Sequence, residues 1–172
     1  MGATTIVSVE EYLRNTEKPH LEYREGVLHP KPMATTLHGM LQVILGWLLL
    51  RQGYRCGTEI TVRISESKYL IPDVIAAKEI EEPYPTSPVH LCCEILSPED
   101  RLGQTLSKCE EYHDWGVPYC WVIDPERRVA WEYPKDGEPA RIADIAEGKL
   151  HAGEIEVSLA ELFGQLGNAG KE

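Results

Sequence analysis

Basic residues are scarce in this chain. Its 172 residues include 17 lysines and arginines against 28 aspartates and glutamates, a formal net charge of −11. Binding nucleic acid without sequence preference normally takes a basic excess that displaces counter-ions from phosphates, so the composition argues against that class. It leaves a nuclease open. The acids cluster at 79–82, 99–100 and 110–111, and Arg51, Arg55, Arg63, Arg101, Lys108, Arg127 and Arg128 are left to form a local basic face or simply a solvated surface. Long hydrophobic runs are also missing. The longest, Leu37 to Leu50, contains His38 and Gln42 and falls short of the roughly 20 residues a bilayer requires. It reads as a buried helix. There is no secretory core near Met1, and the first six residues miss the myristoylation pattern at Ile6. The five cysteines contain no CxxC grouping for zinc, and Cys92, Cys93 and Cys120 sit in apolar runs. Reduced core thiols in a cytoplasmic protein are the expectation. Internal repeats and low-complexity segments are absent too. One domain is expected over 1–172, with its core at about 8–163 and a frayed tail over 164–172.

What is present reads as α/β. Ser8-Val9-Glu10-Glu11 is a capping box that predicts a short helix through Leu13. His20 to His29 is extended, with a turn at Glu25-Gly26. Thr35 or Thr36 caps a helix through Arg51, with Leu37, Met40, Leu41, Ile44, Leu45, Leu48 and Leu49 as its apolar face and Gly53 at its end. Alternation over 60–64 predicts a strand with one wet face, and the continuous apolar runs 69–77 and 89–96 predict strands covered on both sides. Strand 89–96, a helix over 100–115 and strand 119–124 form a βαβ unit with parallel strands. Turn signals at Asp124-Pro125-Glu126, Asp136-Gly137 and Glu147-Gly148 then predict an antiparallel meander, and Ser158 caps a last helix. The predicted fold is α/β, with a central mixed β-sheet flanked by helices and a C-terminal β-meander.

Two apolar runs each carry one acid: Ile71-Pro72-Asp73-Val74 and Cys93-Glu94-Ile95-Leu96-Ser97-Pro98. Desolvating a carboxylate is costly unless it is paired or holds a metal. Two such acids close in sequence suggest a hard-cation site for phosphodiester chemistry. The plainer reading is that Asp73 caps a turn and Glu94 pairs with an arginine. Strand alternation puts His90, Cys92 and Glu94 on one face and Leu91, Cys93 and Ile95 on the other. In the helix over 100–115, Leu102, Thr105, Leu106, Cys109, Tyr112 and His113 form an inward stripe, with Lys108 at its margin. From there the ammonium either reaches Glu94 or stays exposed beside Glu111. A thiol nucleophile on the face of His90, Cys92 and Glu94 is the rival site.

Taken together, Leu21-Glu22-Tyr23-Arg24-Glu25-Gly26, His38, Ile71-Pro72-Asp73-Val74, Glu94-Ile95-Leu96-Ser97-Pro98, Lys108 with Tyr112, and the run Gly116 to Asp124 resemble the Uma-type restriction endonucleases. These are a bacterial branch of the PD-(D/E)XK nuclease superfamily. The resemblance runs from about Ser8 to Phe163. It rests on the order and spacing of the motifs, none of which is specific alone. It implies a restriction-endonuclease-like fold and Mg²⁺-dependent phosphodiester hydrolysis, with Mn²⁺ as a substitute. Asp73 and Glu94 match the two motif acids and would hold the metal with the carbonyl of Ile95. Leu96 stands where the superfamily places its lysine, and Lys108 matches a lysine relocated to the next helix. Glu22 would complete the acidic cluster, and His38 and Tyr112 would orient it. The expected partners are nucleic acid, DNA first, and a second copy of the chain in a dimer; no membrane partner is expected. The alternative is an inactive nuclease-fold binding module.

Overall fold

The computed structural model describes residues 6–15, 20–142 and 145–167. Helix α1 (Val9–Arg14) precedes a hairpin of β1 (Leu21–Arg24) and β2 (Val27–Pro30), and helix α2 (Thr36–Arg51) follows. Strands β3 (Arg55–Thr58), β4 (Val62–Ser65), β5 (Lys68–Leu70), β6 (Val74–Ala77) and β7 (Leu91–Ile95) lead to helix α3 (Leu102–Trp115). The chain closes with β8 (Tyr119–Asp124), β9 (Val129–Pro134), β10 (Ala140–Ile142), β11 (Lys149–Ala152), β12 (Ile155–Ser158) and helix α4 (Leu159–Gln165). The helix starts follow local chemistry. Ser8 and Glu11 form a reciprocal capping box, Thr35 accepts from the His38 amide, and Ser158 accepts from the Glu161 amide. The β1–β2 turn takes both its residues into left-handed backbone, Glu25 at φ 48° and Gly26 at φ 87°, as a two-residue hairpin requires.

The central sheet has the order β10-β9-β8-β7-β6-β3. Among the described strands only β7 and β8 run parallel, joined through α3 as the βαβ pattern predicts. A second sheet, β2-β1-β5-β4, lies beside it. The run 69–77 is therefore not one strand. Tyr69 and Leu70 belong to the second sheet and Val74 to Ala77 to the first, with Ile71-Pro72-Asp73 crossing between them. Proline has no amide hydrogen to extend a ladder, so the run breaks there. The break lies in the sheet interior, because β6 sits between β7 and β3, and not at an edge.

The meander is also shorter than predicted. Strands β8, β9 and β10 form it, whereas β11 and β12 leave as a separate hairpin. That hairpin buries Leu150, Ala152, Ile155 and Val157 in the same core as Leu41, Leu45, Leu48 and Leu49 of α2 and Phe163 of α4. The other sheet face packs Cys92 and Val122 against Cys109 and Tyr112 of α3. Leu91, Cys93 and Ile95 lie in the first core and Cys92 in the second, so β7 alternates as predicted. His90 does not follow it. It precedes the strand and packs between Tyr54 and Tyr119, with Nε2 2.8 Å from the Ala152 carbonyl oxygen.

On α2 the predicted face is the inward one except at Met40: Leu41, Leu45, Leu48 and Leu49 are buried, and Leu37 and Ile44 pack against them. Met40 is exposed together with Val43, Trp47 and Leu50, while His38 and Gln42 are buried. The helix is apolar nearly all round, so the inward face also takes in His38 and Gln42, and Gln42 is held by hydrogen bonds to Glu59 and the Asp73 carbonyl. The tail predicted to fray from 164 is ordered at its start. Gly164 and Gln165 continue α4 and Leu166 is buried, while 168–172 lie outside the described residues. No helix among the described residues is long and apolar enough to cross a membrane.

Candidate active site

The crossover that breaks the run 69–77 delivers Asp73 to the end of β6, where it is 2% exposed. Its Oδ2 accepts the Ile95 amide at 2.6 Å, and its Oδ1 accepts Lys31 Nζ at 2.7 Å. His38 Nε2 stands 3.3 Å from the same Oδ1. Lys31 also donates to Glu59 Oε2 and to the Ile71 carbonyl, each at 2.9 Å. Gln42, one turn after His38 on α2, donates to Glu59 Oε1 at 2.7 Å and to the Asp73 carbonyl at 3.1 Å. Burial opposes the Asp73 charge, but His38 and Lys31 outweigh it and hold the carboxyl well below its usual range. Burial likewise opposes protonation of His38, and Asp73 and Glu59 overcome it, raising the imidazole pKa.

Glu94, next to last in β7, forms a second centre. Its Oε1 accepts Tyr112 Oη at 2.6 Å and lies 3.0 Å from Lys108 Nζ. Lys108 is 2.6 Å from Glu22 Oε1 and donates to the Ile71 carbonyl at 3.3 Å. Glu22, on β1, also accepts the Ile71 amide at 2.9 Å. Lys108 thus turns toward the sheet end and leaves Glu111 to Arg24 and Lys68. Burial raises the Glu94 pKa, and Asp73 and Glu22 add to it; Lys108 offsets only part, so the carboxyl is pushed up to about 7. For Lys108 burial pulls the other way, but Glu94 and Glu22 prevail and keep the ammonium charged.

The register that pairs Val74 with Cys93 sets Asp73 and Glu94 side by side at the end of two antiparallel strands. Both line one open cavity of about 570 Å³, along with Glu22, Lys31, His38 and Lys108. Ile95 reaches it as well, whereas Tyr112 is fully buried behind Glu94. The expected acidic cluster is divided. Glu22 and Glu94 share Lys108, while Asp73 groups with His38 and Glu59, whose ligand atoms all lie within 4.8 Å of one another.

Sequence reasoning missed Lys31, Glu59 and Gln42. Gln42 had a legible signal, a second polar residue one turn from His38 on an otherwise apolar helix. Lys31 lies between two prolines and Glu59 in the connection after β3, where no periodicity points to a partner. The thiol alternative fails on geometry. His90 faces Tyr54 and Tyr119 away from Cys92, and burial pushes the Cys92 thiol well above its usual pKa, so it stays protonated.

A mixed sheet flanked by helices, with acids and a lysine gathered at the ends of its central strands, defines a restriction-endonuclease-like protein. The chain belongs to the Uma2 family, described as "Putative restriction endonuclease", which matches residues 9–161. The fold is similar to that of a crystallised "putative nuclease belonging to DUF820" from Anabaena variabilis ATCC 29413. That likeness has a TM-score of 0.75 at 21% identity and covers 93% of this chain and 99% of that one. A weaker likeness, TM-score 0.42 at 16% identity, is to the cryo-EM structure of a DrdV–DNA complex and covers 76% of this chain and 11% of that one. No curated protein matches the chain.

Proposed function

We propose that the protein is a divalent-metal-dependent endonuclease that hydrolyses phosphodiester bonds in nucleic acid, with DNA as its first substrate. One observation carries the reading: Asp73 and Glu94 share an open cavity in which Lys108 stands 3.0 Å from Glu94. The donor set fits a hard cation, since Asp73 and Glu94 bring carboxylate oxygens to the cavity and Ile95, which also lines it, would add its carbonyl. These three would hold Mg²⁺, with Mn²⁺ as a substitute. When bound, the ion would polarise a phosphoryl oxygen and lower the pKa of a coordinated water.

The rest is work for the chain. Lys108 projects from a helix packed on the sheet, so its ammonium is held in place; it would orient the attacking water and stabilise charge developing on phosphorus. Glu22 fixes Lys108 at 2.6 Å, and Tyr112 fixes Glu94 at 2.6 Å. Cutting both strands of a duplex with one centre per chain calls for two chains, so a homodimer belongs to the proposal. The proposal sets the protein in the cytoplasm, a reading supported by its five cysteines, none of which is paired in a disulfide.

Lys108→Ala tests the assignment. Cleavage of DNA and RNA with Mn²⁺ or Mg²⁺ should disappear while metal affinity, read by calorimetry, persists. Unaltered cleavage would remove Lys108 from the mechanism. A wild-type protein that cuts neither substrate would instead be a binding module. Sedimentation equilibrium reads the dimer.

A further inference from the structure

Asp73 also faces a donor set that the nuclease reading leaves unused. His38 is 5% exposed, yet neither of its ring nitrogens makes a hydrogen bond. Nδ1 has no partner and Nε2 has only an ion-pair approach to carboxylates; buried polar groups are nearly always hydrogen-bonded, so this imidazole is open to a ligand. Its Nε2 points between two carboxylates, 3.3 Å from Asp73 Oδ1 and 3.9 Å from Glu59 Oε1. Each carboxylate is braced from behind, Asp73 by the Ile95 amide and Glu59 by Gln42. Bracing of this kind fixes the first ligands of a metal site. The Lys31 ammonium now sits among Asp73 Oδ1, Glu59 Oε2 and the Ile71 carbonyl, at 2.7, 2.9 and 2.9 Å, a positive charge in an oxygen cradle. Its four-carbon stem is flexible. The residues after it, Pro32 to Ala34, are exposed, so the side chain has room to withdraw.

We propose that His38, Glu59 and Asp73 form a second cation site, selective for a first-row transition dication over Mg²⁺, and that Lys31 fills it until the metal enters. The imidazole sets the selectivity, because Mg²⁺ strongly prefers oxygen whereas Mn²⁺, Co²⁺ and Zn²⁺ accept nitrogen. The site shares Asp73 with the nuclease reading but does not use Glu94 or Lys108. Metal entry is an exchange in which one ammonium leaves for solvent as one dication binds, so Lys31 lowers the apparent affinity by competition.

The test is calorimetric titration of the full chain with Mn²⁺ and, separately, Mg²⁺, with Co²⁺ absorption as a spectroscopic readout of nitrogen ligation. His38→Gln should weaken Mn²⁺ binding by at least about tenfold, remove the Co²⁺ nitrogen signature and leave Mg²⁺ affinity within about threefold. Lys31→Met should do the opposite and raise Mn²⁺ affinity by about tenfold or more, a gain that a misfolded variant could not produce. Glu94→Gln should leave the Co²⁺ signature in place. If His38→Gln and Lys31→Met both leave Mn²⁺ affinity unchanged, the second site is wrong. If Glu94→Gln alone abolishes Mn²⁺ binding, the ion belongs to the Asp73–Glu94 pair, which overturns this site and spares the nuclease reading. A His38-dependent Mn²⁺ site in a protein that never cleaves would overturn the nuclease reading and spare this one.

Discussion

Asp73, just before β6, and Glu94, near the end of β7, lie side by side and line one cavity, yet the protein treats their charges in opposite ways. Both are more than nine-tenths buried. Asp73 has a backbone amide, an ammonium and an imidazole around its two oxygens, and its pKa falls. Glu94 has a tyrosine hydroxyl and a share in one ammonium that Glu22 also uses, and its pKa rises to about 7. Similar burial with unequal positive charge nearby, an ammonium and an imidazole against a share in one ammonium, gives one ligand held charged and one that titrates near neutrality. A site of this kind keeps a fixed anchor for a cation on one side and a proton-sensitive arm on the other.

The largest expected effect comes from removing the ammonium on the Glu94 side. Lys108→Ala leaves Glu22 and Glu94 buried without their cation, which should cost about 3 kcal/mol of stability at pH 8. At pH 6 the loss should shrink, because Glu94 takes up a proton and sheds its charge. Denaturant unfolding at the two pH values checks this. A loss independent of pH would mean that Glu94 is not the titrating arm.

Proton linkage gives the next effect. Glu94 must lose its proton to bind a metal, so affinity should climb by about tenfold between pH 6 and pH 8, with proton release visible in two calorimetry buffers. Affinity constant over that range would put both carboxylates on the same footing. In metal-free protein the signs of the two acids differ. The contribution from Glu94, whose pKa is raised from 4.5 to about 7, is complete below 4.5 and is lost as pH rises through 7. The contribution from Asp73 is complete above its ordinary 3.8 and is lost only in strong acid. Wild type should therefore lose stability relative to Glu94→Gln between pH 5.5 and pH 8 in chelator, as read by urea unfolding.

Tyr112→Phe is the mildest probe. It removes one hydrogen bond to a charged acceptor and should cost about 1–2 kcal/mol. It should also raise the Glu94 pKa further, so the pH dependence of metal binding moves upward. A variant with wild-type stability would show that the 2.6 Å contact does not hold Glu94 in place.

The same contrast marks what the chain disclosed before folding. Asp73 and Glu94 stood out because each was a lone acid in an apolar run, and Lys108 because it edged an amphipathic stripe. Those are local patterns with a period. Lys31 and Glu59 sit in connections, and nothing in their neighbours specifies that two segments 28 residues apart meet around one ammonium. The run 69–77 misled for a related reason. Its apolar character is uniform, so it announced burial but not the passage from one sheet to another at Pro72. On α2 the apolar period marks the inward face except at Met40, but it does not show that His38 and Gln42 share that side.

The central claim is that Asp73 anchors a metal-dependent nuclease centre. Cleavage of mixed DNA and RNA substrates by wild type and Asp73→Asn, with Mn²⁺ and with chelator, tests it most directly. Wild type should cut only with metal, and the variant, folded by circular dichroism, should not cut at all. Cleavage that survives chelator, or that persists in Asp73→Asn, would contradict the account.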